Sequence, residues 1–442
     1  MPGLQSSPTG PLSGVAAVPG DKSISHRALI LGALSVGETR ITGLLESEDV
    51  LATATALNTF GAQAIREDDG KWRVFGRGVG GLSEPSGVLD MGNSGTAARL
   101  LMGVSATLPF NTTFSGDASL SKRPMERAMI PLRQMGAQFT ARDGGCLPIT
   151  VSGAQAPIPI TYELPMASAQ VKTAVLLAGL NTPGLTTVIE PQPTRDHSER
   201  MLAHFGAEVV VEDTPDGGRR ISLTGQPELT GHGVTVPGDF SSAAFPMVAA
   251  LLAPKSRITL SGVGINPLRT GLLETLLEMG ASIGVENRRS LSGEEAADLV
   301  VESSALKGIT VSPSRAPSMI DEYPVLAVAA ALAEGETRLE GLAELRVKES
   351  DRLGAMAKGL AAAGVDVTET EDSLTIRGGG AKHPGGVQIE AHLDHRIAMA
   401  FLVLGLATER LISIDDAATI DSSFPGFAAL MNGLGADIKE CP

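Results

Sequence analysis

Apolar and polar positions along this chain fall into a pattern that recurs. A short polar turn runs into a nearly unbroken stretch of small apolar residues at VPGDKSISHRALILGAL (18–34), LDMGNSGTAARLLMG (89–103) and PMASAQVKTAVLLAGL (165–180). The same happens at VPGDFSSAAFPMVAALL (236–252), MIDEYPVLAVAAAL (319–332) and HLDHRIAMAFLVLGL (392–406). Stretches that are apolar on every face predict buried helices. Between them lie alternating runs such as FNTTFSG and KGITVSPS, which predict strands, and amphipathic helices such as MERAMIPLRQMGA and RTGLLETLLEMGA. Both amphipathic helices end at a Gly-Ala stop of the C-cap kind.

Anchored on Ser23, Ser94, Ser168, Ser241, Asp321 and Asp394, the steps are 71, 74, 73, 80 and 73 residues, and VPGD itself returns after 218. A fixed period indicates a copied supersecondary unit. Helix and strand alternate within it, which predicts an α/β protein of six repeats, three per half. Solenoid units usually span about 20–50 residues, so two globular lobes fit the period better. The expected first lobe is 21–237, and the second is 1–20 plus 238–442. The chain would cross between them near 19–21 and 236–239, leaving the N-terminal strand to the second lobe.

Composition narrows the function. A chain of 442 residues suggests two or three domains. Its charge-free apolar blocks run about a dozen residues, short of the roughly 20 that cross a bilayer. A net charge of −15 with 3% aromatics argues against a nucleic-acid partner. Cys146 and Cys441 have neither metal nor CxxC spacing, and MPGLQSSPTGPLSG has no signal or transit character. Reduced thiols in a cytoplasmic protein are the expectation. Carboxylates and histidines do not cluster at ligand spacing, so neither metal nor organic cofactor is expected.

The helix starts pose a chemical question. Helix N-termini favour negative side chains, yet Lys22 and Arg27 sit at the first one. Ser23 and Arg27, Gly95 and Arg99, and Ser168 and Lys172 are each four apart, one helical turn. Hydroxyls, backbone N–H groups and a cation at a helix mouth make an anion cradle. The alternative is that each cation faces solvent and pairs with a nearby carboxylate. LRVKESDRL (345–353) places Lys348 and Arg352 one turn apart with Glu349 and Asp351 between them, which also suits an ordinary surface helix start. SKRPMER around Arg123 would open a helix with Pro124 in its first position. GNSGTAAR lacks the Gly-Lys-Ser/Thr end of a P-loop.

PGDKSISHR, LDMGNSGTAARLL, KRPM, ASAQVKTAVLLAGL, IDEYPVLAVAAA, LRVKESDRL and LDHRIAMAF together closely resemble the 5-enolpyruvylshikimate-3-phosphate synthases, in order along essentially the whole chain. The resemblance implies two lobes of three βαβαββ units, with helix starts facing a cleft. It implies transfer of the enolpyruvyl group of phosphoenolpyruvate to the 5-hydroxyl of shikimate 3-phosphate, without a cofactor, by a monomer. Lys22, Arg123, Arg352 and Arg396 would hold phosphoenolpyruvate, with Asn93, Gly95 and Gln170 lining its pocket. Ser23, Arg27, Ser168, Gln170, Lys348 and Asp321 would hold shikimate 3-phosphate. Asp321 would take the hydroxyl proton, Glu349 would protonate the methylene carbon, and Lys22 would stabilise the developing charge.

Departures from the familiar pattern point to the more divergent bacterial branch. Ala169 replaces the second Ser of a Ser-Ser-Gln triplet, keeping its place in the shikimate 3-phosphate set without a hydroxyl. Thr194-Arg195 stands where other members carry Tyr, so Arg195 is expected on the phosphate of shikimate 3-phosphate. Ser422 replaces a Lys expected near phosphoenolpyruvate. Gly95 leaves room for the inhibitor glyphosate, while Leu100 replaces a usual Pro, and moderate sensitivity is expected. The sister transferases acting on UDP-N-acetylglucosamine carry a Cys where this chain has Ala118. RNA 3′-phosphate cyclases would need nucleotide-binding features. A non-catalytic anion-binding relative would not need both Asp321 and Glu349.

Overall fold

The computed structural model describes residues 3–380 and 382–441. The chain forms two compact units. The first is Gly20–Val236 together with Leu291–Glu294; the second is Met1–Pro19, Pro237–Ser290 and Glu295–Pro442. The short Leu291–Glu294 piece joins the first unit although it lies far along the chain. Glu294 Oε1 sits 2.7 Å from His197 Nδ1, with both side chains buried.

The first unit contains helices α1 (Lys22–Ala33), α2 (Glu48–Thr59), α3 (Gly95–Ser105), α4 (Glu126–Gln134), α5 (Ala169–Leu180) and α6 (His197–His204). The second contains α7 (Phe240–Leu252), α8 (Gly271–Glu278), the single turn α9 (Ala316–Met319), α10 (Tyr323–Leu332), α11 (Arg352–Ala362), α12 (His395–Gly405) and α13 (Phe427–Gly433). The six apolar stretches are α1, α3, α5, α7, α10 and α12. They lie at the centre of the two separate cores, which the outer helices and the inner faces of the sheets complete. Among the described residues, no helix is long and apolar enough to cross a membrane.

Among the described residues, six four-stranded sheets share one plan. Asn111–Ser115, for example, pairs parallel with Leu89–Asp90 on one side and antiparallel with Cys146–Ser152 on the other, and Gln138–Arg142 forms the far edge. Each βαβαββ unit thus wraps a buried helix and an outer helix onto one sheet. The plan is completed by distant chain at three places. Gly233–Thr235 supplies the parallel edge of the first sheet beside Glu38–Thr42. Ser13–Ala16 does so for the fourth beside Arg257–Gly264, and Leu4–Ser7 enters the last sheet between Ile412–Ile414 and Asp437–Glu440.

The amphipathic helices α4 and α8 end as expected. Gly136 (φ 107°) and Gly280 (φ 93°) take the left-handed conformation that only glycine adopts without strain. Pro124, however, lies outside α4, which begins at Glu126. Arg123, pushed extended by the following proline, separates it from the 3₁₀ turn Leu120–Lys122.

Small residues let the buried helices approach closely. At Gly103 of α3, an added Cβ would lie 2.4 Å from Ala174 O and 2.7 Å from its Cα on α5. Backbone cannot retreat as a side-chain tip can. Gly103→Ala should therefore cost about 1–3 kcal/mol or more in urea unfolding. Gly433→Ala at the end of α13, with nothing within 4 Å, should be neutral or stabilising. Equal midpoints for the two variants would refute this account of the helix contact.

Candidate active site

In the first unit, three helix starts gather polar side chains. Asp21 caps α1 by accepting from Ile24 N at 2.9 Å. Lys22 is ion-paired with Asp49 of α2. Arg27 points inward and is buried. Its Nε donates to Ser198 Oγ (2.8 Å), Nη1 to Ser23 O (2.9 Å) and Nη2 to Thr173 Oγ1 (2.8 Å). Among the described residues, none of its hydrogen bonds goes to a carboxylate. Burial pushes the Arg27 guanidinium down to about 10; the Arg195 cation adds to the shift, and Glu199 and Asp21 oppose it. Two cations thus act on each other here.

The starts of α3 and α5 are joined by Gln170. It accepts from Arg99 Nη1 at 3.0 Å and donates to Thr96 Oγ1 at 3.0 Å. Ser168 caps α5, and Ala169 is its first residue. Asn93 accepts from Arg123 Nη2 at 2.7 Å and donates to Asp117 at 2.7 Å; Ser119 also accepts from Arg123. Gly95 lies beneath these guanidinium groups. A Cβ there would stand 2.7 Å from Arg99 Nη1 and 3.7 Å from Arg123 Nη1. Leu100, by contrast, is buried in the core.

The second unit assembles its charges around Arg352, which is 1% exposed. Arg352 Nε donates to Asp394 Oδ2 at 2.8 Å and Nη2 to Asp394 Oδ1 at 3.3 Å. Nη2 also donates to Glu349 at 2.5 Å, and Nη1 to Asp321 at 3.3 Å. Burial would lower the Arg352 pKa, but Asp394, Glu349 and Asp321 outweigh it and raise it. In turn, burial raises the Asp394 pKa and Arg352 overrides this, so that Asp394 stays well ionised. Arg396 Nη1 donates to Asp321 O at 3.1 Å.

Several expectations need correction. Lys172 is not at a helix mouth: it is fully buried and paired with Glu190 and Glu199, because α5 turns that face into the unit. Lys348 and Arg352 do not share a helical face, since α11 begins only at Arg352 and Lys348 is extended. Lys348 Nζ pairs with Glu344 at 2.5 Å. LRVKESDRL is no ordinary surface helix start, because its Arg352 is inside. Asp321 stands one residue before the cap position of α10, which Glu322 occupies. Ser422 Oγ donates to Thr419 O at 2.6 Å.

Sequence reading passed over Asp394 as a charge partner and Thr173 and Ser198 as supports of Arg27. Asp394 had a signal: it occupies the cap position that Ser94 holds in the α3 repeat. Thr173 and Ser198 had none, since hydroxyls near helix starts are common.

The architecture is that of an enolpyruvyl transferase. The enolpyruvyl transferase NikO from Streptomyces tendae shares the fold at TM-score 0.78 and 20% identity, over 100% of this chain and 99% of that one. EPSP synthase from Acinetobacter baumannii is nearer, at TM-score 0.89 and 46% identity over all of both chains. The family model for EPSP synthase (3-phosphoshikimate 1-carboxyvinyltransferase) matches residues 6–431. The 3-phosphoshikimate 1-carboxyvinyltransferase of Paramagnetospirillum magneticum is 63% identical across 99% of this chain and 98% of its own length. That of Parvibaculum lavamentivorans is 61% identical across 98% and 96%. The chain belongs to the EPSP synthase family.

His26, at the start of the second turn of α1, is fully buried with Nδ1 2.8 Å from Thr53 Oγ1. Burial, then Lys22 and Arg27, hold its pKa well below 6.5. The unfolded chain therefore binds a proton on falling through pH 6.5 that the folded chain refuses. The stability conferred by neutral His26 is complete above that pH and is lost below it, by up to about 1.4 kcal/mol per pH unit. Urea unfolding of wild type and His26→Gln at pH 5 and 7 should show a smaller pH dependence in the variant. Parallel pH profiles would contradict the assignment.

Proposed function

We propose that the chain transfers the 1-carboxyvinyl group of phosphoenolpyruvate to the 5-hydroxyl of shikimate 3-phosphate and releases phosphate. The observation that carries this reading is the meeting of Asp321 and Glu349 on the Arg352 guanidinium. Addition followed by elimination needs one group to accept a hydroxyl proton and another to protonate carbon. Asp321 takes the 5-hydroxyl proton as the oxygen bonds to C2 of phosphoenolpyruvate, and Glu349 protonates C3. The tetrahedral intermediate then loses phosphate and a methyl proton, restoring the double bond.

Lys22, Arg123, Arg352 and Arg396 hold the carboxylate and phosphate of phosphoenolpyruvate, with Asn93, Gly95 and Gln170 lining its site. Lys22 also stabilises charge in the intermediate. An anion bidentate on Arg352 competes for Nη1 and Nη2, and so frees Asp321 and Glu349 while Asp394 keeps Nε. Ser23, Arg27, Ser168, Ala169, Gln170, Arg195, Lys348 and Asp321 take shikimate 3-phosphate. The mutual repulsion of Arg27 and Arg195 supports a dianion there. We read the enzyme as a cytoplasmic monomer that needs no cofactor.

Phosphate release should require both substrates together. Asp321→Asn and Glu349→Gln should each lower kcat by about 10²–10⁴-fold. Release from phosphoenolpyruvate alone, or undiminished kcat in both variants, would rule the reading out. Gly95→Ala should raise the glyphosate inhibition constant by about tenfold, roughly 1.4 kcal/mol, as its methyl crowds Arg99 and Arg123. Similar constants for variant and wild type would remove the steric argument.

A further inference from the structure

The proposed chemistry makes no use of Lys172. It sits one turn into a buried helix, in AQVKTAVLLAGL, with none of its surface exposed. Its Nζ lies 2.6 Å from Glu199 Oε1, 3.0 Å from Glu190 Oε2 and 3.5 Å from Thr194 O. Both carboxylates are buried as well. Three charges inside a unit carry a large desolvation penalty, and apolar residues of similar volume often hold such a place more stably. What an ionic cluster supplies instead is fixed position: each partner has one place where its charge is matched.

The partners mark out what is fixed. Glu190 ends the strand Leu185–Glu190, Glu199 lies on α6, and Thr194 belongs to the connection between them. Thr194 Oγ1 also donates to Glu190. The connection is thereby tied to α5 at both ends and at the residue before Arg195. Thr173, the neighbour of Lys172, holds Arg27 Nη2 from the same helix turn. One turn of α5 therefore reaches Arg27 directly and Arg195 through the pinned connection. The Arg195 charge is felt at Arg27.

We propose that Lys172 is a positioning residue that fixes the 191–196 connection, so that Arg195 stands beside Arg27 to receive the phosphate of shikimate 3-phosphate. This rests on the assignment of Arg195 to that phosphate. Lys172 itself touches no substrate. Its effect is on recognition of the phosphate, not on the transfer step.

The test compares Arg195→Ala, Lys172→Met and the double variant in the full chain, by calorimetric titration with shikimate 3-phosphate and with shikimate. Each single variant should weaken shikimate 3-phosphate binding about tenfold and leave shikimate binding unchanged. The double variant should be no weaker than either single one, because both act through one contact. A merely structural Lys172 would lower the melting temperature of Lys172→Met, leave its affinity at wild-type level, and so overturn the proposal. Additive losses would overturn it too. If Arg195→Ala binds normally, the phosphate assignment beneath the proposal fails; if Arg195→Ala binds weakly and Lys172→Met normally, only the pin fails. Should Lys172→Met not fold, Lys172→Met/Glu190→Gln/Glu199→Gln leaves no unmatched charge and carries the same expectation.

Discussion

A charge taken out of water must be met by an opposite charge or by fixed dipoles, and both units are organised by that demand. Arg352 meets it with Asp394, Glu349 and Asp321. Lys172 meets it with Glu190 and Glu199. Arg27 meets it with two hydroxyls and a carbonyl. Removing one member of such a set leaves the others unmatched, a loss of about 3–5 kcal/mol for a buried pair. The side chains around each set are accordingly held in place from several directions. For the acid, base and cations of the proposed site, this restraint is the useful property.

The copied unit brings these groups together cheaply in structural terms. Each buried helix begins at a polar turn and continues through small residues. Close packing of α3 and α5 at Gly103 draws their starts near enough for Gln170 to bond Arg99 and Thr96. The copies have then diverged in chemistry while keeping their geometry. Ser94 and Asp394 are both helix caps, but Asp394 adds the charge that Arg352 requires. Gly92, at φ 53°, has His392 in its place at φ 53°, with Leu393 at φ 56° beside it. Non-glycine residues in that region carry strain of about 1–3 kcal/mol each, and here they precede Asp394 and Arg396.

Much of this was legible along the chain. The six helices, the six repeats and the glycine stops follow from local physics: small apolar residues with no polar face must be buried, and a helix that ends at glycine needs no tertiary help. The family motifs also named Asp321, Glu349, Arg352 and Arg396, which the structure brings into one hydrogen-bonded group. Lys172 shows the limit of the method. Its spacing from Ser168 matches that of Arg27 from Ser23, and both are buried, yet Lys172 faces two carboxylates and Arg27 faces hydroxyls and a carbonyl. Spacing identifies residues that share a helical face; it does not say what that face meets.

The sequence alone determined the repeated element, its secondary structure and the presence of surplus cations at helix starts, because these depend on neighbours within a few residues. Tertiary structure decided which cations are matched by protein carboxylates, and by which ones. Asp49 for Lys22, Asp394 for Arg352 and Glu190 for Lys172 lie 27, 42 and 18 residues from their partners. Electrostatic energy depends on distance through space and on exclusion of water, and both are set only when separate segments pack.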